Sequence, residues 1–331
     1  MARALVTGGT GFIGRHLTEL LLGREERVRC FARRPGPPGA ESVIGDITCP
    51  DAIAGALTGI DVVYHLAGAT LPPRGATYET INALGCARVA EACAEQPTPP
   101  TLVYVSSLAA VGPSRDGLPV TELTPPQPVS EYGKSKLRGE ANLRPFAGKV
   151  PISVVRPPAV FGPGEPHLVR LFGLAKRRLH VVPGRADVRL AWVHVADLAE
   201  SLVLAANVGE RLPPPDSGDG PDVGVYLVAL DEQPTMSEVA SIAASHLGTT
   251  IKRTIHLPVI LCQLAARLNH LRCRLRGRAS WLNPDKMREA TSGPWICSSE
   301  KAKRELGFAC RVNLHDGFGE LKQWYTANGM L

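Results

Sequence analysis

The sequence predicts an α/β fold: a doubly wound parallel sheet followed by a smaller, mainly helical C-terminal part. Three observations predict it. Short apolar runs alternate with helical patterns along the first half, a glycine-rich turn joins the first run to the first helix, and helical patterns dominate beyond Ser237. Strand–helix alternation implies βαβ units, hence a parallel sheet covered on both faces.

Ala4-Leu5-Val6 reads as the first strand, and Phe12 to Leu22 as a helix with Ile13, Leu17, Leu20 and Leu21 on one side. Val28 to Phe31 and Ser42 to Ile44 read as the second and third strands. Asp61 to Leu66 and Thr101 to Ser106 are two more, separated by a helix around Tyr78 to Glu95, and Ile152 to Val155 is another. The alternation loosens after Arg156. Trp192 to Val195 and Val225 to Val228 still read as strands, with a helix from Ala196 to Asn207 between them. Leu212 to Asp222, dense in Pro, Gly and Asp, reads as a mobile surface loop. The expected division is a sheet domain, residues 1–156 and 190–229, and a second domain, residues 157–189 and 230–331.

Hydrophobic residues make up 44% of the 331 and charged residues 21%, which excludes a disordered or collagen-like chain. No apolar run approaches the roughly 20 residues of a membrane-spanning helix. Aromatic residues are only 5%, and 37 Lys+Arg against 31 Asp+Glu is a mild excess, so no nucleic-acid partner is expected. The eight cysteines form no CxxC pair and no zinc-ligand spacing with His, so no metal is expected. Scattered thiols in a chain this long read as reduced, and order by Arg3 leaves no secretory leader; the expected compartment is the cytoplasm.

Thr7-Gly8-Gly9-Thr10-Gly11-Phe12-Ile13-Gly14 contains GxGxxG at Gly9, Gly11 and Gly14, and the variant TGxxGxxG at Gly8, Gly11 and Gly14. Glycines there make the sharp turn and let backbone approach a pyrophosphate, which free N–H groups and the helix dipole attract. Alone the triplet could be a plain tight turn; after a strand and before an amphipathic helix, it reads as the phosphate turn of a Rossmann-type dinucleotide site. The second strand ends Phe31-Ala32 and is followed by Arg33-Arg34, with no carboxylate at the place where an NAD site holds one. Guanidinium groups match the 2′-phosphate of NADP, so NADP(H) is the preferred cofactor and NAD(H) the alternative. A solvated basic turn is the plainer reading of the same pair. Asp46, in Gly45-Asp46-Ile47 after the third strand, either accepts from the adenine amino group or caps the next turn.

Tyr132 and Lys136 form a YxxxK pair, which a helix places on one face one turn apart. A phenol ionises near pH 10; an adjacent ammonium is expected to lower that and suit the tyrosine to acid–base work. Ser106 and Ser107 close a strand upstream, where a hydroxyl can hydrogen-bond a substrate oxygen.

With these motifs in order, the sequence resembles the extended short-chain dehydrogenase/reductase family of NAD(P)-dependent epimerases, dehydratases and reductases. The resemblance also rests on His65-Leu66-Ala67-Gly68, Asn82 with Gly85, Arg156-Pro157 with Phe161-Gly162-Pro163-Gly164, Val193 to Asp197, and Ser298 to Phe308. It implies that Tyr132 is the proton donor or acceptor and that Lys136 also holds the nicotinamide ribose. It implies Ser107 as the residue that orients the substrate oxygen, five places before Gly112, with Ser106 as the fallback. Gly8, Gly11, Phe12, Ile13, Gly14, Arg33, Arg34, Asp46, Ile47, Leu66, Ala67, Gly68, Tyr132, Lys136 and Pro157 would line the cofactor. Asn82 would order a contact rather than do chemistry, and His194 would anchor a strand–helix junction. The resemblance weakly implies a homodimer through the helices near Tyr78–Glu95 and Glu131–Leu143.

Within that family the sequence departs from the nucleotide-sugar enzymes. Val111 stands where they carry Tyr, and Leu190-Ala191-Trp192 where they carry Arg-Asp-Tyr or Arg-Asp-Phe; Arg189 is one position off, which in a strand reverses its side chain. The expected reaction is hydride transfer between NADPH and a ketone or alcohol on a small, apolar molecule. The alternatives are a sugar-nucleotide epimerase or dehydratase with retained NAD, and a non-catalytic NAD(P)-binding sensor or subunit. Leu257, Leu261, Leu264, Leu268, Leu271 and Leu275 alternate steps of four and three, with Arg267, Arg272, Arg274, Arg276 and Arg278 nearby. This is either a helix packed into the second domain or a lid over an apolar substrate that touches anionic lipid or an acidic carrier.

Overall fold

The structure, a computed structural model, describes residues 3–73, 75–184, 187–276, 280 and 282–331. The first half runs β1 (Arg3–Thr7), α1 (Phe12–Gly23), β2 (Arg27–Ala32), β3 (Glu41–Ile44), α2 (Pro50–Ala54), β4 (Val62–His65), α3 (Leu84–Ala94), β5 (Thr101–Val105), α4 (Glu131–Leu143) and β6 (Ile152–Arg156). Then come β7 (Ala159–Phe161), α5 (Val169–Lys176), β8 (Leu179–Pro183), β9 (Trp192–His194), α6 (Val195–Val208) and β10 (Val225–Leu227). The chain ends with α7 (Met236–His246), β11 (Arg253–Leu257), α8 (Val259–Leu275), α9 (Pro284–Ala290), α10 (Glu300–Leu306) and α11 (Leu314–Ala327).

Seven strands form one sheet in the order β3-β2-β1-β4-β5-β6-β10, and every pairing is parallel. Alternation within β1 builds the core on both faces. Ala4 and Val6 pack with Leu17 and Leu21 of α1 and with α6, whereas Leu5 packs with Val89 and Cys93 of α3 on the other side. The chain reverses direction across the sheet between β1 and β4, and ligands of such sheets sit beyond the strand ends at that point. Thr7, His65, Val105 and Arg156 are the last residues of four central strands, so the topology delivers them to one edge.

The second half packs around Phe161, Phe172, Trp192 and Phe318. Trp192–His194 is a strand as expected, but it leaves the main sheet and pairs with β7 in a separate two-stranded sheet. The α6 that follows returns to cover the main sheet, and so does α10, through Ala302, Leu306 and Phe308. The helix expected from Tyr78 opens with a wide π-helical turn, residues 79–83, before α3. Leu212, expected in a mobile loop, is buried, and its N–H donates to Ile152 O at 2.7 Å. Among the described residues no helix is long and apolar enough to cross a membrane.

The leucine stripe is the largest departure. Its first leucine, Leu257, ends β11, and the rest is a helix but not a core helix: Leu261, Leu264, Leu268 and Leu271 stand exposed, while Cys262 and Ala266 form the buried face. Periodicity identifies one apolar face, and the small residues on the other let α8 lie closer to the protein. Arg278 lies outside the described residues, as do the side chains of Arg274 and Leu275.

Candidate active site

The turn after β1 has one shape available to it. Gly8 has φ of +74°, and a Cβ there would stand 2.8 Å from Ala67 N, so only glycine fits. Gly11 is extended at the N-cap of α1, where no side chain caps the helix and the first turn carries no acid. The positive end of α1 therefore opens over the strand ends, with Phe12, Ile13 and Gly14 in its first turn. Leu66, Ala67 and Gly68 run beside this turn, tied to it by Ala67 N–H donating to Thr7 Oγ1 at 3.1 Å. Thr7 Oγ1 also shares a 2.8 Å hydrogen bond with His65 Nδ1. Burial, with help from the Lys136 charge, holds the His65 imidazole neutral by lowering its pKa to about 3.

Arg33 and Arg34 are exposed just past β2. Asp46 Oδ1 accepts from Thr48 N–H and Thr48 Oγ1, both at 2.8 Å, so this oxygen caps a turn. Those bonds hold the carboxyl below its usual pKa, helped by the charges of Arg33 and Arg88. Ile47 beside it is buried against Gly85. Arg88, on α3, was not singled out by the sequence. Its Nη1 is buried with no hydrogen-bond partner among the described residues, leaving a donor facing this corner.

The sequence-predicted catalytic residues converge. Ser130 caps α4 by accepting from Gly133 N–H at 2.9 Å. A Cβ on Gly133 would stand 2.2 Å from Ala109 O, so the missing side chain lets α4 close onto the turn after β5. Tyr132 is then brought beside Ser107, whose hydroxyl favours the phenolate, while Ser107 Oγ accepts from Ala109 N–H at 3.1 Å. Pro157 is buried behind this turn, its carbonyl accepting from Leu108 N–H at 2.8 Å. Ser106, the fallback, is committed elsewhere: it donates to Glu140 Oε1 at 2.5 Å. Glu140 is held bidentately by Arg156, at 2.9 and 2.6 Å, and both side chains are only 5% exposed. A buried, fully paired fork beneath the site fixes α4 against β6.

Lys136 corrects one expectation. Its ammonium donates to Val105 O at 2.9 Å, and burial lowers its pKa. It does not pull the phenol down. Tyr132 is pushed up to about 12, chiefly by burial, against the Ser107 hydroxyl and with the Glu289 charge adding to the rise. Asn82, in the wide turn, accepts from Ala69 N–H at 2.7 Å and donates to Ser135 Oγ at 2.9 Å, holding the loop after β4 against α4. His194 caps α6 toward Ala196 N–H at 3.4 Å and packs edge-on against Phe161.

The sequence reading missed α9. Asp285 accepts from Glu131 N–H at 2.7 Å, Lys286 Nζ stands 4.3 Å from the Tyr132 ring centre, and Glu289 accepts from Ser130 Oγ at 2.5 Å. The signal that could have found this helix is Asn283-Pro284-Asp285: a capping Asn, proline in the first turn and an acid after it.

A glycine turn at the switch point of a parallel sheet, joined to a Ser/Tyr/Lys cluster, defines a dinucleotide-binding enzyme site. The chain belongs to the NAD dependent epimerase/dehydratase family, which it matches over residues 4–217, and is an enzyme of the extended short-chain dehydrogenase/reductase type. It is 32% identical to a ceramide reductase of Caulobacter vibrioides, over 98% of this chain and 95% of that protein. It is 31% identical to the 3 beta-hydroxysteroid dehydrogenase type 7 of Homo sapiens, again over 98% and 95%. Among solved structures, MoeE5 in complex with UDP-glucose and NAD shares the fold, with a TM-score of 0.76, 24% identity and 99% of both chains covered.

Proposed function

We propose that the chain is an NADP(H)-preferring oxidoreductase working on a ketone or alcohol borne by a largely apolar molecule. The observation that carries this reading is the convergence of Ser107 and Tyr132, with Lys136 buried one turn along α4. The glycine cradle, the uncapped α1 and the unpartnered Arg88 Nη1 fit a dinucleotide phosphate. A bound nicotinamide would supply the hydride. The protein's own part is then to deliver a proton and hold the oxygen. Tyr132, still protonated at neutral pH, donates its proton to the substrate oxygen as charge develops there, which suits the reductive direction. Ser107 orients that oxygen. Lys136, held by Val105 O, would hold the ribose of a bound nicotinamide. Gly8, Gly11, Phe12, Ile13, Gly14, Leu66, Ala67, Gly68 and Pro157 would line the cofactor, with Asp46 and Ile47 available to its adenine.

The preference for NADP rests on Arg33, Arg34 and Arg88 and on the absence of an acid at Ala32. The apolar substrate is supported by two details. Arg189 is exposed and donates to Gln233 O at 2.9 Å instead of offering a diphosphate clamp, and Val111 is buried. The names of both enzyme relatives, a ceramide reductase and a hydroxysteroid dehydrogenase, point to lipid substrates. Residues 1–156 and 190–229 form the cofactor domain in this reading, and 157–189 and 230–331, apart from α10, the substrate domain. The eight cysteines are free thiols, which fits the cytoplasm, and the family resemblance supports a homodimer through α3 and α4.

Purified protein incubated with NADPH and a homologous series of ketones tests the reading. Steady NADPH oxidation that improves with apolar length is the expected result. Tightly retained, non-exchanging NAD would replace it with an epimerase, and binding without turnover with a sensor.

A further inference from the structure

We propose that α8 is a bilayer-docking helix whose outward leucines seat in the boundary between headgroups and acyl chains of a membrane containing anionic lipid. Ile260 is 77% exposed, Leu261 55%, Leu264 51%, Leu268 60% and Leu271 56%. At about 100° per residue these five fall on one face, opposite the face that carries buried Cys262 and Ala266. The helix is anchored from that inner side: Asn269 Nδ2 donates to Ser280 Oγ at 2.8 Å and to Leu282 O at 2.7 Å. A row of large apolar side chains in water, two turns and more in length, marks a surface that meets something apolar.

Charge selects the occupant. Between Glu238 and Asp285 the sequence has no Asp or Glu and seven Lys and Arg. Arg267 and Arg272 are exposed and flank the leucine row on opposite sides. An apolar stripe bordered by arginines is the arrangement that lies in the plane of an anionic membrane surface, with guanidinium groups at the lipid phosphates. A second copy of this chain would bring the same positive rim against itself. The inference goes beyond the proposed reductase activity and concerns where the chain sits. It also has a geometric consequence: α8 packs beside α9, whose Asp285 and Lys286 lie against Tyr132. Docking α8 would set the mouth of the active site at the membrane surface.

The test uses the full chain and sedimentation with phosphatidylcholine vesicles, with and without phosphatidylglycerol. Binding to the phosphatidylglycerol vesicles, weakened by added salt, is expected. Leu264→Ser combined with Leu268→Ser should reduce the apparent affinity at least about tenfold with unchanged thermal unfolding, because both side chains are already exposed. Arg267→Gln combined with Arg272→Gln should reduce it without touching the apolar row. No binding to anionic vesicles, or equal binding by parent and leucine variant, would overturn the proposal. So would analytical ultracentrifugation that finds a parent dimer split by the leucine substitutions, since the face would then join two copies.

Discussion

Asp285 accepts the backbone N–H of Tyr132 at 3.2 Å, joining residues 153 positions apart. With Glu131 N–H on its other oxygen, this carboxylate caps α4 from outside and complements the positive end of the helix. Because Tyr132 sits in that first turn, α9 holds the proposed proton donor in register with Ser107. Asp285 is a positioning residue in this account. Asp285→Ala should cost about 1 kcal/mol of stability, as cap removals do, and lower kcat while leaving NADPH affinity near that of the parent. Asp285→Asn, which keeps an acceptor oxygen, should recover part of the loss. Parallel kcat and binding measurements check it, and equal losses in both would make α9 a general support only.

The His65 imidazole makes stability depend on pH. Buried and beside Lys136, it is neutral in the folded chain down to about pH 3, whereas in the unfolded chain it takes a proton near about pH 6.5. A depressed folded pKa means the unfolded state binds the proton first. The contribution is therefore complete above about 6.5 and is lost as pH falls toward 3, with a slope of at most about 1.4 kcal/mol per pH unit. Urea unfolding of the parent and of His65→Gln at several pH values between about 7 and 4 reads this directly. The variant, destabilised at neutral pH, should close on the parent as pH falls; parallel curves would remove the assignment.

Cofactor preference can be separated from cofactor binding. Arg33→Ala with Arg34→Ala should weaken NADPH about tenfold or more and leave NADH nearly unchanged, since only NADPH carries the 2′-phosphate. That loss should shrink in high salt, where exposed pairs are screened. Arg88→Ala should show the same selectivity if its unpartnered Nη1 serves the phosphate. Equal weakening of both dinucleotides would make the arginines structural.

Much of this site is legible in the sequence because its parts are local. The glycine turn, the spacing of Tyr132 and Lys136, and the Ser106-Ser107 strand end are each set within a few residues, and a parallel sheet carries strand ends to one edge. What was not legible depends on distance in the chain or on environment. The packing of α9 on α4 pairs residues about 150 apart with no covarying signal in a single sequence. The choice between Ser106 and Ser107 is made by Glu140, which accepts from the first and is itself held by Arg156. The Tyr132 pKa follows from burial, not from the lysine beside it in sequence. For α8, periodicity finds the leucine face but not which side the protein takes, because Cys262, Ala266 and Asn269 make an inner face that looks weak as a string of residues.

In the proposed reaction Tyr132 supplies the proton. Tyr132→Phe removes the hydroxyl and keeps the ring beside Lys286 and Tyr78, so NADPH titration should give parent-like affinity while steady-state turnover of a ketone substrate falls by about two to four orders of magnitude. Near-parent turnover by Tyr132→Phe, with the dinucleotide still bound, would contradict the account.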